Sequence, residues 1–153
     1  MSAVASERGL HMITLPRQKI EEVQEELRRH YLELLREEEV LKGLARKFQE
    51  YFEGKPVEFR IRMDLIGATP FELKVWDVAM GIPRGQVRSY EWVAKQVGNK
   101  KEVRAVGQAL SRNRLPIIIP CHRVIRKEGD LGGFSAGVQM KRLLLKIEGY
   151  LIC

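Results

Sequence analysis

The sequence predicts an α/β (α+β) protein in two parts: a small helix-rich N-terminal lobe with a short sheet over residues 1–66, and a helical domain over residues 67–153. The second part carries a helix-turn-helix and a candidate reactive cysteine. Three observations predict this. A long amphipathic pattern fills the first half, short helices with clear start and stop signals fill the second, and the charge balance changes between them. Residues 1–66 hold 12 basic and 13 acidic side chains, whereas 67–153 hold 15 and 7, so a net −1 stands against a net +8. The overall formal charge of +7 makes a polyanion the natural partner and assigns it to the second half.

The length of 153 residues, with 44% hydrophobic and 31% charged side chains, suits one core or two small lobes and excludes a large multidomain machine. With no apolar run of membrane-spanning length and no signal-peptide pattern at the start, a cytoplasmic protein without membrane contact is expected. Two cysteines, Cys121 and Cys153, are too few for a disulfide framework. Of the three histidines, His11, His30 and His122, only His122 lies beside a cysteine. That pair supplies two ligands at most, so no metal site is expected.

In the first half, Ile20, Val23, Leu27, Tyr31 and Leu34 recur at helical spacing. After the acidic run Glu37 to Glu39 the pattern resumes with Val40, Leu41, Leu44, Phe48, Tyr51 and Phe52. One long helix or two consecutive ones should end near Gly54 and Pro56, and the alternation Val57, Phe59, Ile61, Met63 then reads as a short strand. In the second half, Thr69-Pro70 with Glu72 three residues after the cap opens a helix that should bury Phe71, Val75, Trp76, Val78 and Ala79 and stop near Gly81. Ser89 caps a helix over Tyr90 to Val97, Gly98 ends it, and another runs from about Lys101 to Arg112.

The last two helices and their turn read as a helix-turn-helix, with a plain helical hairpin as the alternative. The second helix is basic at Lys101, Arg104 and Arg112, and Ala105, Gly107 and Ala109 are small enough for close backbone approach, which favours DNA as the partner. Next comes the apolar run Ile117 to Ile119, read as a buried strand that delivers Cys121 beside His122. A cysteine in apolar surroundings is usually inert. Here His122 can accept its proton and Arg123 adds positive charge, which points to a nucleophile.

The segment Pro120-Cys121-His122-Arg123-Val124 resembles the active-site motif of the O6-alkylguanine-DNA alkyltransferase (methylated-DNA–protein-cysteine methyltransferase) family. The resemblance covers about residues 69–149. Thr69-Pro70-Phe71, Val75-Trp76, Ile82-Pro83, Gly85, Ser89-Tyr90, Arg104-Ala105-Val106-Gly107, Gly132-Gly133-Phe134-Ser135 and Glu148-Gly149 all fall in family order. It implies direct repair of double-stranded DNA, with an alkyl group moved from O6 of guanine to the protein's own cysteine, once per molecule and with no cofactor.

Carried over by motif position, Cys121 is the acceptor and His122 its base, acting through a water and oriented by Glu148. Tyr90 donates to the guanine ring, Ser135 holds O6 and Val124 belongs to the substrate pocket. Asn113 in the Asn-x-x-Pro turn is the hinge to the cysteine segment. Arg104 would fill the space of a nucleotide flipped out through the minor groove, with Ala105, Gly107, Lys101 and Ser89 against the DNA. Glu102 and Gln108 depart from the small residues the family tends to have there, Phe134 replaces a common Tyr, and residues 1–66 look divergent. The rival readings are a non-enzymatic sensor of alkylated DNA, a cysteine hydrolase using Cys121, His122 and Glu148, and a transcriptional regulator. The family reading further expects a monomer.

Overall fold

In the computed structural model, residues 2–15, 38–98 and 102–150 are described. The upstream part of the amphipathic pattern, Ile20 to Leu34, lies outside them, as do Lys101 and Cys153.

The chain opens with an antiparallel hairpin of β1 (Ser2–Ser6) and β2 (Gly9–Thr14), in which Val4 faces Met12 and a bulge follows before Ala5 pairs with Leu10. Gly9 makes the turn possible: its φ is +137°, and a Cβ there would collide with the backbone carbonyl of Arg62. Leu10, Ile13 and Leu15 are buried. The expected strand over 57–63 is a correction. Val57, Phe59, Ile61 and Met63 do alternate with exposed Glu58, Arg60 and Arg62, but the segment is extended chain rather than sheet. Only its end reaches the edge of β2, where Met63 bridges Leu10 and two backbone bonds of 2.8 Å join Leu10 to Arg62 and Asp64. Alternation reports which face is buried, and a ladder needs a neighbouring edge as well.

The helix α1 (Glu38–Phe52) buries Leu44, Phe48 and Tyr51 at spacings of four and three, and the chain reverses at Gly54, where φ is +83°. In the second half, α2 (Pro70–Met80) starts with a complete capping box, Thr69 Oγ1 accepting from the Glu72 amide while the Glu72 carboxylate accepts from the Thr69 amide. Its Trp76 Nε1 donates to the carbonyl of Ala109 at 2.9 Å. That bond locks α2 against α4 (Val103–Ser111), which follows α3 (Tyr90–Gln96), capped by Ser89 as expected. Val75, Trp76, Ala79, Val93, Ala94, Val106 and Ala109 form the centre of this half, in one continuous core with Leu10, Phe48 and Tyr51 of the first. A two-residue parallel pair, β3 (Arg88–Ser89) with β4 (Val124–Ile125), and the last helix, α5 (Val138–Ile147), complete the described fold.

The run Ile117 to Ile119 is a second correction, because it forms a tight turn instead of a strand. Ile119 N bonds Leu115 O at 2.9 Å, and Ile117 has a φ of +76°, a conformation rare for a β-branched residue. Asn113 holds the turn from inside: its Oδ1 accepts from Leu115 N at 2.9 Å and its Nδ2 donates to Ile119 O at 2.8 Å. Cys121 then opens a single 3-10 turn, Cys121–Arg123.

Candidate active site and DNA-facing surface

The Cys121 thiol is 6% exposed and lies at the wall of a cavity of about 600 Å³. Tyr90 from α3, Arg104, Gly107 and Gln108 from α4, and Phe134 and Ser135 from the loop before α5 line the same cavity. The helix-turn-helix and the cysteine therefore open onto one space. Arg104 and Gln108 are exposed at its edge, Ala105 and Glu102 are half-buried on the same helix, and Ser135 is exposed. Arg126, whose role the sequence did not suggest, also lines it, bonded to Asp130 at 2.9 Å. Val124 is fully buried outside this lining, paired in register with Arg88. Its carbonyl accepts from Lys141 Nζ at 2.6 Å. Ser89 spends its hydroxyl oxygen on the cap of α3.

Burial pushes the Cys121 thiol up, and it is countered by Asn113, whose Nδ2 reaches Sγ at 3.1 Å, by the Lys141 ammonium and by the backbone amides of Cys121 and His122. The thiol is the resting form. His122 is completely buried, and its Nε2 lies 2.8 Å from Glu148 Oε1. Burial pushes the imidazole down from its ordinary value, even against the pull of Glu148. Burial alone would raise the Glu148 carboxyl, yet hydrogen bonds from His122 and Arg123 hold it well below the usual carboxylate range. After His122, Arg123 contributes most, because its Nε reaches Oε2 at 2.8 Å and its second terminal nitrogen reaches Oε1 at 2.9 Å. With the carboxylate charge balanced by the guanidinium, the imidazole stays neutral and donates Nε2–H to Glu148. Its lone pair is then on Nδ1.

Two more groups complete the site. Tyr51, from α1, donates its hydroxyl to Glu148 Oε1 at 2.7 Å. Lys141 is fully buried, places its Nζ 5.7 Å from the centre of the Tyr90 ring, and is pushed down to about 8 by burial. Tyr90 itself is pushed up, by burial and then by the charge of Cys121, so its phenol remains a donor at neutral pH. Sequence reasoning brought Cys121, His122, Glu148, Asn113 and Tyr90 to this region but missed Tyr51 and Lys141. A signal existed for the second, since a lysine shares the buried face of α5 with Leu144 and Leu145. Tyr51 looked like any other member of an apolar stripe. Gly85, with φ +75°, packs its backbone so closely on Glu148 that a Cβ would lie 3.0 Å from the Glu148 carbonyl oxygen. Among the described residues no group of three or more His, Cys, Asp or Glu is arranged to hold a metal, and no helix is long and apolar enough to cross a membrane.

A buried cysteine next in sequence to a buried His122–Glu148 pair, lining one cavity with a helix-turn-helix, is the arrangement of a DNA-binding domain with a candidate reactive thiol. Two family models match: the DNA-binding domain of 6-O-methylguanine DNA methyltransferase over residues 70–150, and the ribonuclease-like domain of the same enzyme over 3–65. The chain belongs to the methylated-DNA–protein-cysteine methyltransferase family, enzymes of DNA repair by alkyl transfer. The relative from Methanosarcina acetivorans is 42% identical over 73% of this chain and 71% of its own length. The one from Salmonella typhimurium is 43% identical over 72% of this chain and 64% of its own. The inducible methyltransferase of Bacillus subtilis is 37% identical over 92% of this chain and 79% of its own. Among solved structures, Mycobacterium tuberculosis OGT in complex with DNA is similar with a TM-score of 0.67 at 42% identity, over 71% of this chain and 65% of that one. An O6-methylguanine methyltransferase from the same organism is similar with a TM-score of 0.75 at 33% identity, over 95% and 90%.

Proposed function

We propose that the protein repairs O6-alkylguanine in double-stranded DNA by moving the alkyl group to Cys121, irreversibly and once per molecule, after the damaged nucleotide has swung out of the duplex through the minor groove. One observation carries the reading: the Cys121 sulfur lines the cavity that the helix-turn-helix presents, and a neutral His122 oriented by Glu148 stands beside it. An O6 substituent inside a duplex is out of reach of a buried thiol, so the proposed reaction includes extrusion of the nucleotide. Arg104, exposed at the rim on α4, would enter the vacated stack, with Ala105 and Gly107 letting the helix backbone approach; Lys101 and Ser89 complete the proposed DNA-contact set.

In the proposed step the thiol proton passes to His122 Nδ1 through a bridging water, and the thiolate attacks the alkyl carbon in line with the C–O6 bond. A carbon–sulfur bond forms as the carbon–oxygen bond breaks. The released electron pair moves into the guanine ring, where Tyr90 supplies a proton at a ring nitrogen while Ser135 bonds O6. Tyr90 is reprotonated from His122, so the net product is a thioether and neutral guanine. A thioether is not hydrolysed under mild conditions, which makes the reaction stoichiometric. The protein would act as a monomer, because an isolated lesion offers no second half-site.

The test is intact mass spectrometry after incubation with duplex DNA containing O6-methylguanine. A single addition of about 14 Da, mapped to Cys121 and absent in Cys121→Ala, is expected. Tight lesion binding without any mass change would instead support the sensor reading.

A further inference from the structure

Glu148 Oε1 is shared by three donors: His122 Nε2 at 2.8 Å, the Arg123 guanidinium at 2.9 Å, and the Tyr51 hydroxyl at 2.7 Å. Two of these come from the cysteine turn. Tyr51 comes from α1, in the other half of the chain, and its oxygen also lies 3.5 Å from His122 Nε2. The phenol thus sits at the same carboxylate oxygen as the imidazole and competes with it. We infer that Tyr51 is a positioning residue for the alkyl transfer, acting through Glu148 to set the basicity of His122; this rests on the reaction proposed above.

The geometry leaves the phenol little freedom. Its ring is 2% exposed, Phe52 packs edge-on at 5.6 Å, and the Arg84 guanidinium lies 5.4 Å from the ring centre. Arg84 in turn donates to the carbonyls of Gly54, Lys55 and Ile147, tying the end of α1 to the end of α5, the helix that leads directly into Glu148. Burial, then the Glu148 charge, raises the phenol above its ordinary range, so it is a neutral donor throughout the working pH range. A tyrosine held by packing alone does not need its oxygen on a carboxylate that already has two other partners.

The direction of the effect follows from the competition. Each donor that a carboxylate accepts disperses its negative charge and weakens its hold on the imidazole proton. Without the Tyr51 hydroxyl, Glu148 attracts positive charge on His122 more strongly, and the thiolate–imidazolium pair forms at lower pH. The other charged groups around the imidazole are Arg123 on its own turn, Lys141 on α5, Arg84 above Tyr51 and the Cys121 thiol itself, and Tyr51→Phe leaves all of them in place.

The test measures the rate of Cys121 alkylation by iodoacetamide against pH on the full-length chain, together with methyl transfer from lesion-containing DNA. For Tyr51→Phe the midpoint of the thiol profile should move down by about half a pH unit or more. Placing 3-fluorotyrosine at position 51, a stronger donor of nearly the same shape, should move it up. The second variant keeps the idea testable even if removing the hydroxyl unfolds the protein. Profiles that coincide with the wild type, or that fall uniformly in rate with an unmoved midpoint, would overturn it and leave Tyr51 a packing residue. Because iodoacetamide reads the thiol without DNA, shifted profiles in the Tyr51 variants together with a wild type that takes no methyl group would count against the repair reaction and not against Tyr51.

Discussion

At the scale of single residues, the proposed role of Cys121 sets the problem of keeping a thiol buried without leaving it inert. Burial favours the protonated thiol, and Asn113 answers it most directly, with one amide nitrogen between Cys121 Sγ and the Ile119 carbonyl. Its oxygen meanwhile closes the turn at Leu115. Asn113→Ala removes three hydrogen bonds inside the protein and leaves the Leu115 amide and the Ile119 carbonyl unpaired, so a loss of about 1–3 kcal/mol in denaturant melts is expected. Thiol alkylation should also need higher pH, because a donor to the thiolate is gone. A pH profile that did not move would show that the 3.1 Å contact is only packing. This duality was half legible in the sequence: Asn-x-x-Pro announces a turn, but nothing in the one-dimensional order says that the same amide touches the sulfur.

At the scale of elements, the second half was readable because each helix carries its own punctuation. Thr69-Pro70 with Glu72, and Ser89 before Tyr90, are local chemical signals, and they produced the caps expected of them. Segments whose conformation depends on distant partners were not readable. The strand β1 of the first hairpin is short and rich in small residues, and the turn fits only because Gly9 passes under Arg62. Residues 57–63 alternate like a strand but meet the edge of β2 only at their end, and Ile117 adopts a left-handed backbone that its side chain alone would disfavour. In α5, Lys141 stands on the buried face, bonded to Val124 O with its charge near Cys121. Its pKa of about 8 lies below the unfolded value near 10.5, so between those pH values the unfolded chain binds more protons than the fold. The sign is then fixed: the burden of burying this amine is present at neutral pH and is relieved as pH rises through 8. Wild type should gain stability relative to Lys141→Met by up to about 1.4 kcal/mol per pH unit between pH 8 and 10, in paired urea melts. The same variant should react more slowly at the thiol, having lost a nearby cation.

At the scale of the whole molecule, two of the places where the described parts of the halves meet contain groups whose titration opposes acid. At one, Tyr51 reaches Glu148. At the other, Arg114 lies 3.0 Å from His11 Nε2 and donates to Ile66 O at 2.6 Å, while Asp64 accepts from Ser6 at 2.6 Å and faces His11 at 3.4 Å. His11 and His122 are both pushed down, by burial in each case and for His11 next by Arg114, so below pH 6.5 the unfolded chain takes up protons that the fold refuses. Asp64 is lowered to about 2, first by its bond from Ser6, and Glu148 is lowered as well, so the same inequality holds for the carboxylates below about 4.5. All four contributions have one sign: the stability these groups supply is fully present above pH 6.5 and is lost as pH falls. Urea midpoints should therefore decline from pH 7 to 5 through the histidines and decline further from 5 to 3 through the carboxylates. Both tryptophans, Trp76 and Trp92, lie in the second half, so their fluorescence reports that half alone. Asp64→Asn alters only the first, and if the continuous core makes the halves one cooperative unit, it should flatten the lower part of the pH dependence seen by those tryptophans. A tryptophan transition indifferent to Asp64→Asn would mean that the second half unfolds on its own.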